Sequence, residues 1–475
     1  MFLKYFYNET LAHASYLVGS PATGQAIVID PGRDITAYVQ AAKAHGLQIV
    51  AAAETHIHAD FISGARELAE QLGAKLYLSD EGDNFWKYRY LDNYDHQLLK
   101  DGAIFYIGAL KFEVLHTPGH TPEHISFLVT DTAGANQPIG IFTGDFILVG
   151  SAGRPDLLEE AVGIAGATQL SARQMFASLA RFKKLPDFLQ VWPAHGFGSA
   201  CGKAVGAMPS STVGYEKLFN WALQYETETD FVEASLAELP EIPKYFAAMK
   251  KLNKEGPPLL KALRQPEQLN LADLRVILAE GVSLIDTRPA AAFAAGHIPG
   301  SINLPLNQDF SHWAGWFLDY DRPFYLILEP AALAQVTRDL TQIGLDRLGG
   351  YFEPSVIDAW QASGELLQRY SITTPAEIAG KILSGEVTVL DVRSTAEWNE
   401  GHLPGARHIP LGDLPDHLNE IPTGQPLVIQ CRSGARSAIG ASLLQVNGFS
   451  QVMNLAGGYR QWVADQLPIV RNGSR

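Results

Sequence analysis

Metal-capable side chains follow four apolar, strand-like runs in the first half of the chain. LQIVAAAET leads into His56, His58 and Asp60, KFEVLHTPG into His120, PIGIFTG into Asp145, and FLQVWPA into His195. Side chains at strand ends are held by the sheet yet project into the loop layer, where a site can form. Imidazoles and carboxylates are ligands of divalent transition metals. The pattern predicts a metal centre there, with the off-motif histidines His116 and His124 as structural residues.

The second reactive feature is Cys431, which lies between a buried-strand pattern, QPLVIQ, and a helix pattern, SAIGASLLQVNG. A strand-to-helix loop of this length turns backbone N–H groups inward and ends at a helix N-terminus. Both features stabilise an anion such as a thiolate or a persulfide. The predicted persulfide loop comprises the five residues after the cysteine, which are Arg432, Ser433, Gly434, Ala435 and Arg436.

The other cysteine, Cys201, lies in AHGFGSACGK, six residues after His195. The glycine-rich loop lets it approach the predicted metal edge. Two interpretations stay open. Cys201 is either a small buried apolar residue or a thiol at the mouth of the pocket that transiently holds sulfane sulfur.

An internal repeat organises the second half of the chain. Five residue pairs share an offset of 105 residues, namely Asp286/Asp391, Arg288/Arg393, His297/His402, Pro299/Pro404 and Gly300/Gly405. Each copy alternates β-rich runs with helix patterns, which indicates an α/β domain with a mainly parallel sheet. Trp360 and Trp462 share an offset of 102, which aligns Cys431 with Glu329, so the first copy is predicted to lack the nucleophile.

Three domains follow from this organisation. We expect a first domain over 1–252, a linker over 253–265 that contains Gly256, Pro257 and Pro258, an inactive copy over 266–368 and an active copy over 369–475. Prolines interrupt both helices and central strands, which supports the linker.

Composition excludes several classes of function. A net charge of −15 argues against a nucleic-acid partner, because such binding needs a basic face. Two cysteines are too few for a disulfide framework. No apolar run is long enough to span a bilayer, and no signal peptide is evident. We therefore expect a cytoplasmic protein with no membrane contact, and homo-oligomers are expected from their general frequency.

The motifs THIHAD, HTPGHT, FTGD and PAHG, in this order, resemble the metallo-β-lactamase superfamily over about the first 210 residues. The resemblance implies an αββα sandwich with the metal at one edge of its two sheets. The expected fold class is thus α/β and α+β multidomain. Two-metal hydrolases of the superfamily have His directly after the motif Asp, whereas this chain has Phe61. A phenyl ring cannot bind a metal, so one metal is expected.

Within the superfamily, the stretch Phe142–Asp156, with Gly153, Arg154 and Asp156, resembles the persulfide dioxygenases. This implies one Fe(II) per chain, bound by His56, His120 and Asp145, a set of two imidazoles and one carboxylate that suits O₂ activation. His58, Asp60 and His195 would then lie close to the iron without binding it, although with zinc His58 and His195 become candidate ligands. Arg154 either anchors a carboxylate of the thiol carrier or pairs with Asp156 at the surface.

CRSGAR, with DVR at Asp391 and GHLPGA at Gly401, resembles a rhodanese domain in which Cys431 carries sulfane sulfur. Cysteine phosphatases with a similar loop around the nucleophile have one more residue in it, so the loop length argues against phosphoryl transfer. The whole order resembles persulfide dioxygenase–rhodanese fusions of sulfide detoxification. It implies oxidation of a glutathione-, coenzyme A- or bacillithiol-like persulfide by O₂ to sulfite, then sulfur transfer to give thiosulfate. The alternatives are a zinc-dependent thioester hydrolase of the glyoxalase II type fused to a sulfurtransferase, and a sulfur carrier whose first domain is a scaffold.

Overall fold

The computed structural model describes residues 1–157, 167–237, 239 and 241–471. The chain forms two compact units. The first comprises Met1–Leu263 with Thr341–Gly344, and the second comprises Arg264–Leu340 with Leu345–Arg475. Among the described residues, no helix combines the length and the apolar composition needed to cross a membrane.

Two six-stranded sheets form the centre of the first unit. The first sheet has the order β1-β2-β3-β4-β5-β6 and consists of Phe2–Asn8, His13–Ser20, Gln25–Ile29, Gln48–Ala53, Lys75–Ser79 and His96–Leu99. The second has the order β14-β13-β10-β9-β8-β7. Its strands in chain order are β7 Ile104–Ile107, β8 Leu110–His116, β9 Ile125–Asp131, β10 Gly140–Gly144, β13 Gln190–Pro193 and β14 Ser211–Thr212. A short hairpin, β11 (Ile147–Leu148) with β12 (Ser151–Ala152), follows β10.

Helices cover the outer face of each sheet. In chain order they are α1 Thr36–Ala44, α2 Ala65–Leu72, α3 Ala167–Phe182, α4 Val213–Phe219, α5 Glu228–Leu236 and α6 Tyr245–Glu255. Because side chains alternate along a strand, Leu17 packs with Tyr38 and Leu68 of the helices. Its neighbour Val18 instead packs with Phe112 in the core between the sheets. A third core joins the second sheet to α3. These layers confirm the αββα sandwich.

The second unit contains two sheets in which every strand pairing is parallel. The first has the order β15-β19-β18-β16-β17, with strands β15 Glu267–Gln268, β16 Ser283–Asp286, β17 Ser301–Asn303, β18 Phe324–Ile327 and β19 Leu348–Phe352. The second has the order β20-β24-β23-β21-β22, with strands β20 Ser371–Thr373, β21 Thr388–Asp391, β22 Arg407–His408, β23 Leu427–Gln430 and β24 Val452–Leu455. The identical order confirms the predicted repeat.

The helices of the second unit lie between these strands in the sequence. They are α7 Leu271–Ala279, α8 Ala290–Ala295, α9 Phe310–Phe317, α10 Leu333–Gln342, α11 Ser355–Ala362, α12 Pro375–Ser384, α13 Thr395–Glu400, α14 Ala435–Val446 and α15 Gly458–Ala464. The repeated residues make equivalent contacts. Arg288 donates to Asp286 and to the Gly296 carbonyl, while Arg393 donates to Asp391 and to the Gly401 carbonyl.

Candidate metal centre and cysteine loop

The sheet register brings the predicted metal ligands to one edge of the first unit. Strand β10 runs parallel to β13, and Gly144 pairs with Pro193. Asp145, the next residue after Gly144, and His195, two residues after Pro193, therefore lie side by side at the ends of these strands. His56 and His120 reach the same point from the loops after β4 and β8. One potential ligand atom from each of His56, His120 and Asp145 lies within 4.8 Å of the others.

The unpartnered atoms of this cluster fit a cation. Asp145 Oδ2 lies 3.7 Å from His56 Nε2 and 3.4 Å from His120 Nε2. Among the described residues, neither His56 Nε2 nor Asp145 Oδ2 has a hydrogen-bond partner, although both atoms are buried. Buried polar atoms are almost always paired. Two imidazole nitrogens and one carboxylate oxygen around a common point suit Fe(II) or Zn²⁺.

Neighbouring groups fix which ring nitrogens are available. His120 Nδ1–H donates to the Arg154 carbonyl at 3.0 Å, which leaves Nε2 with a lone pair. Burial lowers the pKa of His56 and of His120, so both rings are neutral and able to bind a metal. His124, predicted to be structural, accepts the Asp145 N–H at 3.1 Å and thereby positions that ligand's backbone. His116 contacts the Pro122 carbonyl.

His195 is held between two carboxylates. Its Nδ1 lies 2.6 Å from Asp145 Oδ1 and its Nε2 lies 2.6 Å from Asp60 Oδ2. Although burial opposes the charged ring, Asp145 and Asp60 raise the pKa of His195 well above its usual value. Both nitrogens are engaged, and Asp145 keeps Oδ2 for a metal. The arrangement matches the predicted supporting role of Asp60 and His195.

His58 differs from His195 because one of its nitrogens is unpartnered. His58 Nε2 bonds to Asp30 Oδ1 at 3.1 Å, whereas buried Nδ1 has no hydrogen-bond partner among the residues described. His58 is therefore the supporting histidine that has a nitrogen to offer a metal. Its role as a conditional ligand stays a prediction.

Phe61 occupies its place in the loop as part of an aromatic stack. Its buried ring lies 3.7 Å from the His13 ring and 4.4 Å from the His58 ring, centre to centre. His13 Nε2–H donates to the Asp30 carbonyl at 3.0 Å, and burial lowers the pKa of His13 to about 3. Sequence reasoning did not single out His13, because no motif contains it. At position 61 the chain therefore presents an apolar ring, which has no nitrogen that could bind a metal.

Cys201 approaches this edge, as the glycine-rich loop predicted. Its sulfur forms a second group with Asp60 and His195, whose potential ligand atoms lie within 4.8 Å of one another. Both nitrogens of His195 are already bonded to carboxylates, and burial raises the pKa of the Cys201 thiol. The side chain is buried rather than at an open mouth. Its sulfur-carrying role stays a prediction.

Arg154 forms an internal pair. Its Nε donates to Asp156 Oδ1 at 2.7 Å and its Nη2 donates to Asp156 Oδ2 at 2.6 Å, while its side chain is only 1% exposed. The pair was predicted as an alternative, but at the surface rather than buried. A role of Arg154 in anchoring substrate stays a prediction.

Asn253 secures the metal loop from the last turn of α6. Its Oδ1 accepts the Ser63 N–H at 2.9 Å, and its Nδ2 donates to the carbonyls of His58 and Phe61 at 2.9 and 2.7 Å. Asn253 was assigned to a linker over 253–265, but α6 continues to Glu255. The linker pattern of Gly256, Pro257 and Pro258 marks the end of a helix that packs on the site.

Replacement of Asn253 by Ala should reduce the stability of the first unit. The change leaves three buried backbone groups without a partner, so we expect a loss of about 2–4 kcal/mol in the free energy of unfolding. Urea unfolding with metal analysis before and after measures it. Asn136→Ala, in an exposed loop, is the matched control and should change stability by less than about 0.5 kcal/mol. Equal stabilities for the two variants would contradict the role of Asn253.

Cys431 lies in a loop that donates hydrogen bonds to its sulfur. Cys431 follows β23 directly, and α14 begins at Ala435. The Gly434 N–H lies 3.1 Å and the Ser437 hydroxyl 3.3 Å from Sγ, and both donate to it. Gly458 lets the next loop approach, since a Cβ there would lie 2.1 Å from the Cys431 carbonyl oxygen. The loop geometry fits a sulfur anion.

The two predicted arginines of the loop differ in their surroundings. Arg436 forms a bidentate pair with Glu397, at 2.7 and 2.8 Å, so part of its charge is balanced. Burial raises the pKa of Glu397, but the hydrogen bonds from Arg436 outweigh this and leave it lowered. Arg432 is exposed.

In the first copy, the position equivalent to Cys431 is occupied by Leu328 and not by Glu329. Asp391 pairs with Gln430, the residue before Cys431, and the equivalent Asp286 pairs with Ile327, the residue before Leu328. The offset between copies changes along the repeat because the segments between strands differ in length. The conclusion that this copy lacks the nucleophile holds, since Leu328 is buried and apolar.

The comparisons with known proteins agree with this architecture. Residues 9–195 match the Metallo-beta-lactamase superfamily, and residues 270–341 and 374–465 each match the Rhodanese-like domain. A metallo-beta-lactamase from Staphylococcus aureus has a solved structure with 42% identity and a TM-score of 0.67, covering 74% of this chain and 99% of that one.

Curated relatives match parts of the chain. The hydroxyacylglutathione hydrolase of Francisella tularensis subsp. novicida is 31% identical over 41% of this chain and 67% of its own length. A sulfurtransferase of Allochromatium vinosum is 40% identical over 18% of this chain and 79% of its own length. The match to the beta-lactamase hydrolase-like protein of Agrobacterium fabrum, at 29% identity, covers 54% of this chain and 60% of that protein. The chain therefore belongs to the metallo-beta-lactamase superfamily and carries two rhodanese-like domains after the domain of that fold.

Proposed function

We propose that this protein oxidises a low-molecular-weight persulfide with O₂ at one Fe(II) and passes sulfane sulfur through Cys431. In the first reaction, one persulfide, one O₂ and one water give one thiol, one sulfite and two protons. The outer sulfur loses four electrons, and O₂ accepts them. In the second reaction, the Cys431 thiolate takes the outer sulfur of another persulfide and releases the thiol. Sulfite then attacks that sulfur, which gives thiosulfate and regenerates the thiolate.

The observation that carries the proposal is the three-ligand set beside Phe61. His56, His120 and Asp145 offer two nitrogens and one oxygen, and Phe61 puts a phenyl ring where a second metal would need a nitrogen. When bound to such a set, Fe(II) supplies O₂ activation and open positions for a sulfur ligand. His195 orients the carboxylate of Asp145, and the Arg154 carbonyl orients His120.

The cysteine loop supports the second reaction. Hydrogen bonds from Gly434 and Ser437 stabilise negative charge on the sulfur, both as a thiolate and as a persulfide. Cys431 itself is buried, which limits the access of water to its sulfur. The match to a sulfurtransferase over 18% of the chain supports the same chemistry. A cytoplasmic location and a homo-oligomeric state belong to the proposal as well.

A second candidate is a zinc-dependent thioester hydrolase fused to a sulfurtransferase. The identity of 31% with a hydroxyacylglutathione hydrolase favours it, and so does the unpartnered Nδ1 of His58. The full-length protein, purified without oxygen, should be analysed for metal and then assayed with glutathione persulfide and with S-lactoylglutathione. One iron per chain with O₂ uptake supports the dioxygenase. Two zinc ions per chain with thioester hydrolysis would replace it.

Phe61→His should raise zinc occupancy from one ion toward two per chain when zinc is supplied. The new imidazole would stand beside Asp60 and His58, which lie on the same loop, and complete a second site. Phe61→Leu is the control for loss of the aromatic stack and should keep one ion. If both variants bind the same number of ions, Phe61 does not limit the metal count.

A further inference from the structure

Two cavities adjoin the metal loop of the first unit and share two lining residues, Ala247 and Lys250, of which only Lys250 is charged. The larger cavity, of about 320 Å³, is lined by Ile57, which lies between His56 and His58 in the sequence. The smaller one, of about 230 Å³, is lined by Ala59, which lies between His58 and Asp60. Lys250 lines both. It therefore marks the place where the space beside the metal loop meets α6.

Lys250 is a buried cation that lacks a hydrogen-bonded counter-group. The residue is 8% exposed. None of the described residues accepts a hydrogen bond from its Nζ. The ammonium lies 4.7 Å from the centre of the Trp86 ring, a favourable but weak contact. Burial lowers the pKa of Lys250 to about 8, which leaves the ammonium mostly protonated at neutral pH. The nearby carboxylate Glu123 attracts the ammonium, but no described residue forms a hydrogen bond with it, so a hydrogen-bonded anion would lower the cost of its burial.

The rim of the larger cavity extends the positive charge outward. Lys251 and Lys254, from the same helix, line it together with a single carboxylate, Glu255. This is a local excess of positive charge in a chain whose net charge is −15. The exposed ring of Phe85 stands beside these lysines. The cavity therefore leads from a buried ammonium beside the metal loop to a basic rim.

We propose that Lys250 binds a carboxylate or phosphate of the thiol carrier and so positions the persulfide at the metal edge. This rests on the proposed function and adds to it that the carrier is anionic, with Lys250 as a residue that determines specificity. The carrier's anionic part would lie in the larger cavity, along α6, while its sulfur points past Ile57 toward His56 and His120. An uncharged thiol carrier would leave the ammonium without a hydrogen-bonded partner.

The test measures binding separately from turnover. The metal-loaded, full-length protein is titrated calorimetrically with S-methylglutathione and with S-methyl coenzyme A, neither of which can react as a persulfide. Lys250→Met keeps an unbranched aliphatic side chain but removes the charge. We expect Kd for the anionic thioether that binds to rise at least tenfold, which is about 1.4 kcal/mol. Lys184→Met is the matched control, because Lys184 is an exposed lysine of the same unit that lines neither cavity, and it should raise Kd less than threefold.

Further ligands identify the anion. Loss of binding on going from S-methyl coenzyme A to S-methylpantetheine points to phosphate, and loss on going from S-methylglutathione to its diethyl ester points to carboxylate. In turnover, Lys250→Met should raise KM for the anionic persulfide and leave kcat within about twofold. KM for an uncharged alkyl persulfide should not change.

Unchanged thioether binding by Lys250→Met would overturn the proposal. If the melting temperature of that variant were also lowered, Lys250 would be a structural partner of the nearby carboxylate Glu123. If Lys250→Met weakens thioether binding but the protein consumes no O₂ with any persulfide, the inference stands and the proposed dioxygenase activity fails.

Discussion

Cys431→Ser should abolish thiosulfate formation while O₂ uptake continues. A serine hydroxyl has a pKa far too high to act as a nucleophile or sulfur carrier at neutral pH. The hydrogen bonds from Gly434 and Ser437 would still be made to the smaller oxygen, so the fold should survive. The proposed metal ligands lie in the other unit and are untouched. We expect thiosulfate formation to fall on the order of 10³-fold or more, with sulfite as the product.

The measurement is O₂ uptake with separate quantification of sulfite and thiosulfate. Cys201→Ser is the matched control, because it removes the other thiol and leaves the loop intact. If Cys431→Ser still makes some thiosulfate, the double variant shows whether Cys201 carries the remaining sulfur. Loss of O₂ uptake by Cys431→Ser with its metal still bound would mean that sulfur must enter through the rhodanese-like domain first. The proposed order of events would then be wrong.

His120→Ala should remove both the metal and O₂ uptake. It deletes one of the three proposed ligands and also the contact through which the Arg154 carbonyl orients that side chain. Mutation of a residue that only hydrogen-bonds a metal ligand typically lowers metal affinity 10- to 100-fold, so loss of a ligand itself should lower it about 100-fold or more. Metal content after dialysis and O₂ uptake after reloading with Fe(II) measure the effect.

His116→Ala is the control for this variant. His116 lies near the same turn and contacts the Pro122 carbonyl, but it is not part of the metal cluster. The His116→Ala variant should keep its metal and its O₂ uptake. Normal iron content and full O₂ uptake in His120→Ala would remove His120 from the ligand set. Sulfur transfer from thiosulfate to cyanide should be unchanged in both variants, because Cys431 is intact.

Local patterns were sufficient to predict the architecture and the candidate site residues. Apolar runs that end in His or Asp specify strands that hold ligands at their ends, and β4, β8, β10 and β13 lie where these runs are. The repeat of Asp, Arg and His residues predicted two equivalent parallel sheets. These features depend on residue types within short stretches of sequence, and the hydrophobic periodicity of a short stretch indicates directly whether it forms a strand or a helix.

Partners of side chains could not be predicted in the same way. Arg154 was open to two interpretations until the structure placed Asp156 against it in a buried pair. Leu328, and not Glu329, is the residue equivalent to Cys431, because strand register and not a constant sequence offset decides which residues of the two copies correspond. His13 and Asn253 belong to no motif, yet they contact Phe61 and its loop.

What the sequence by itself determined is therefore the chemistry on offer: a set of metal-capable groups, a cysteine in an anion-stabilising loop, and Phe61 in place of a ligand. Only the tertiary structure decided how these groups are used. It engages both nitrogens of His195, leaves His56 Nε2 and Asp145 Oδ2 free of hydrogen bonds from the described residues, and buries Lys250 beside the metal loop. The physical reason is that hydrogen bonding and burial are set by which strands and helices pack together. That packing joins residues far apart in the chain, as α6 joins Asn253 to His58.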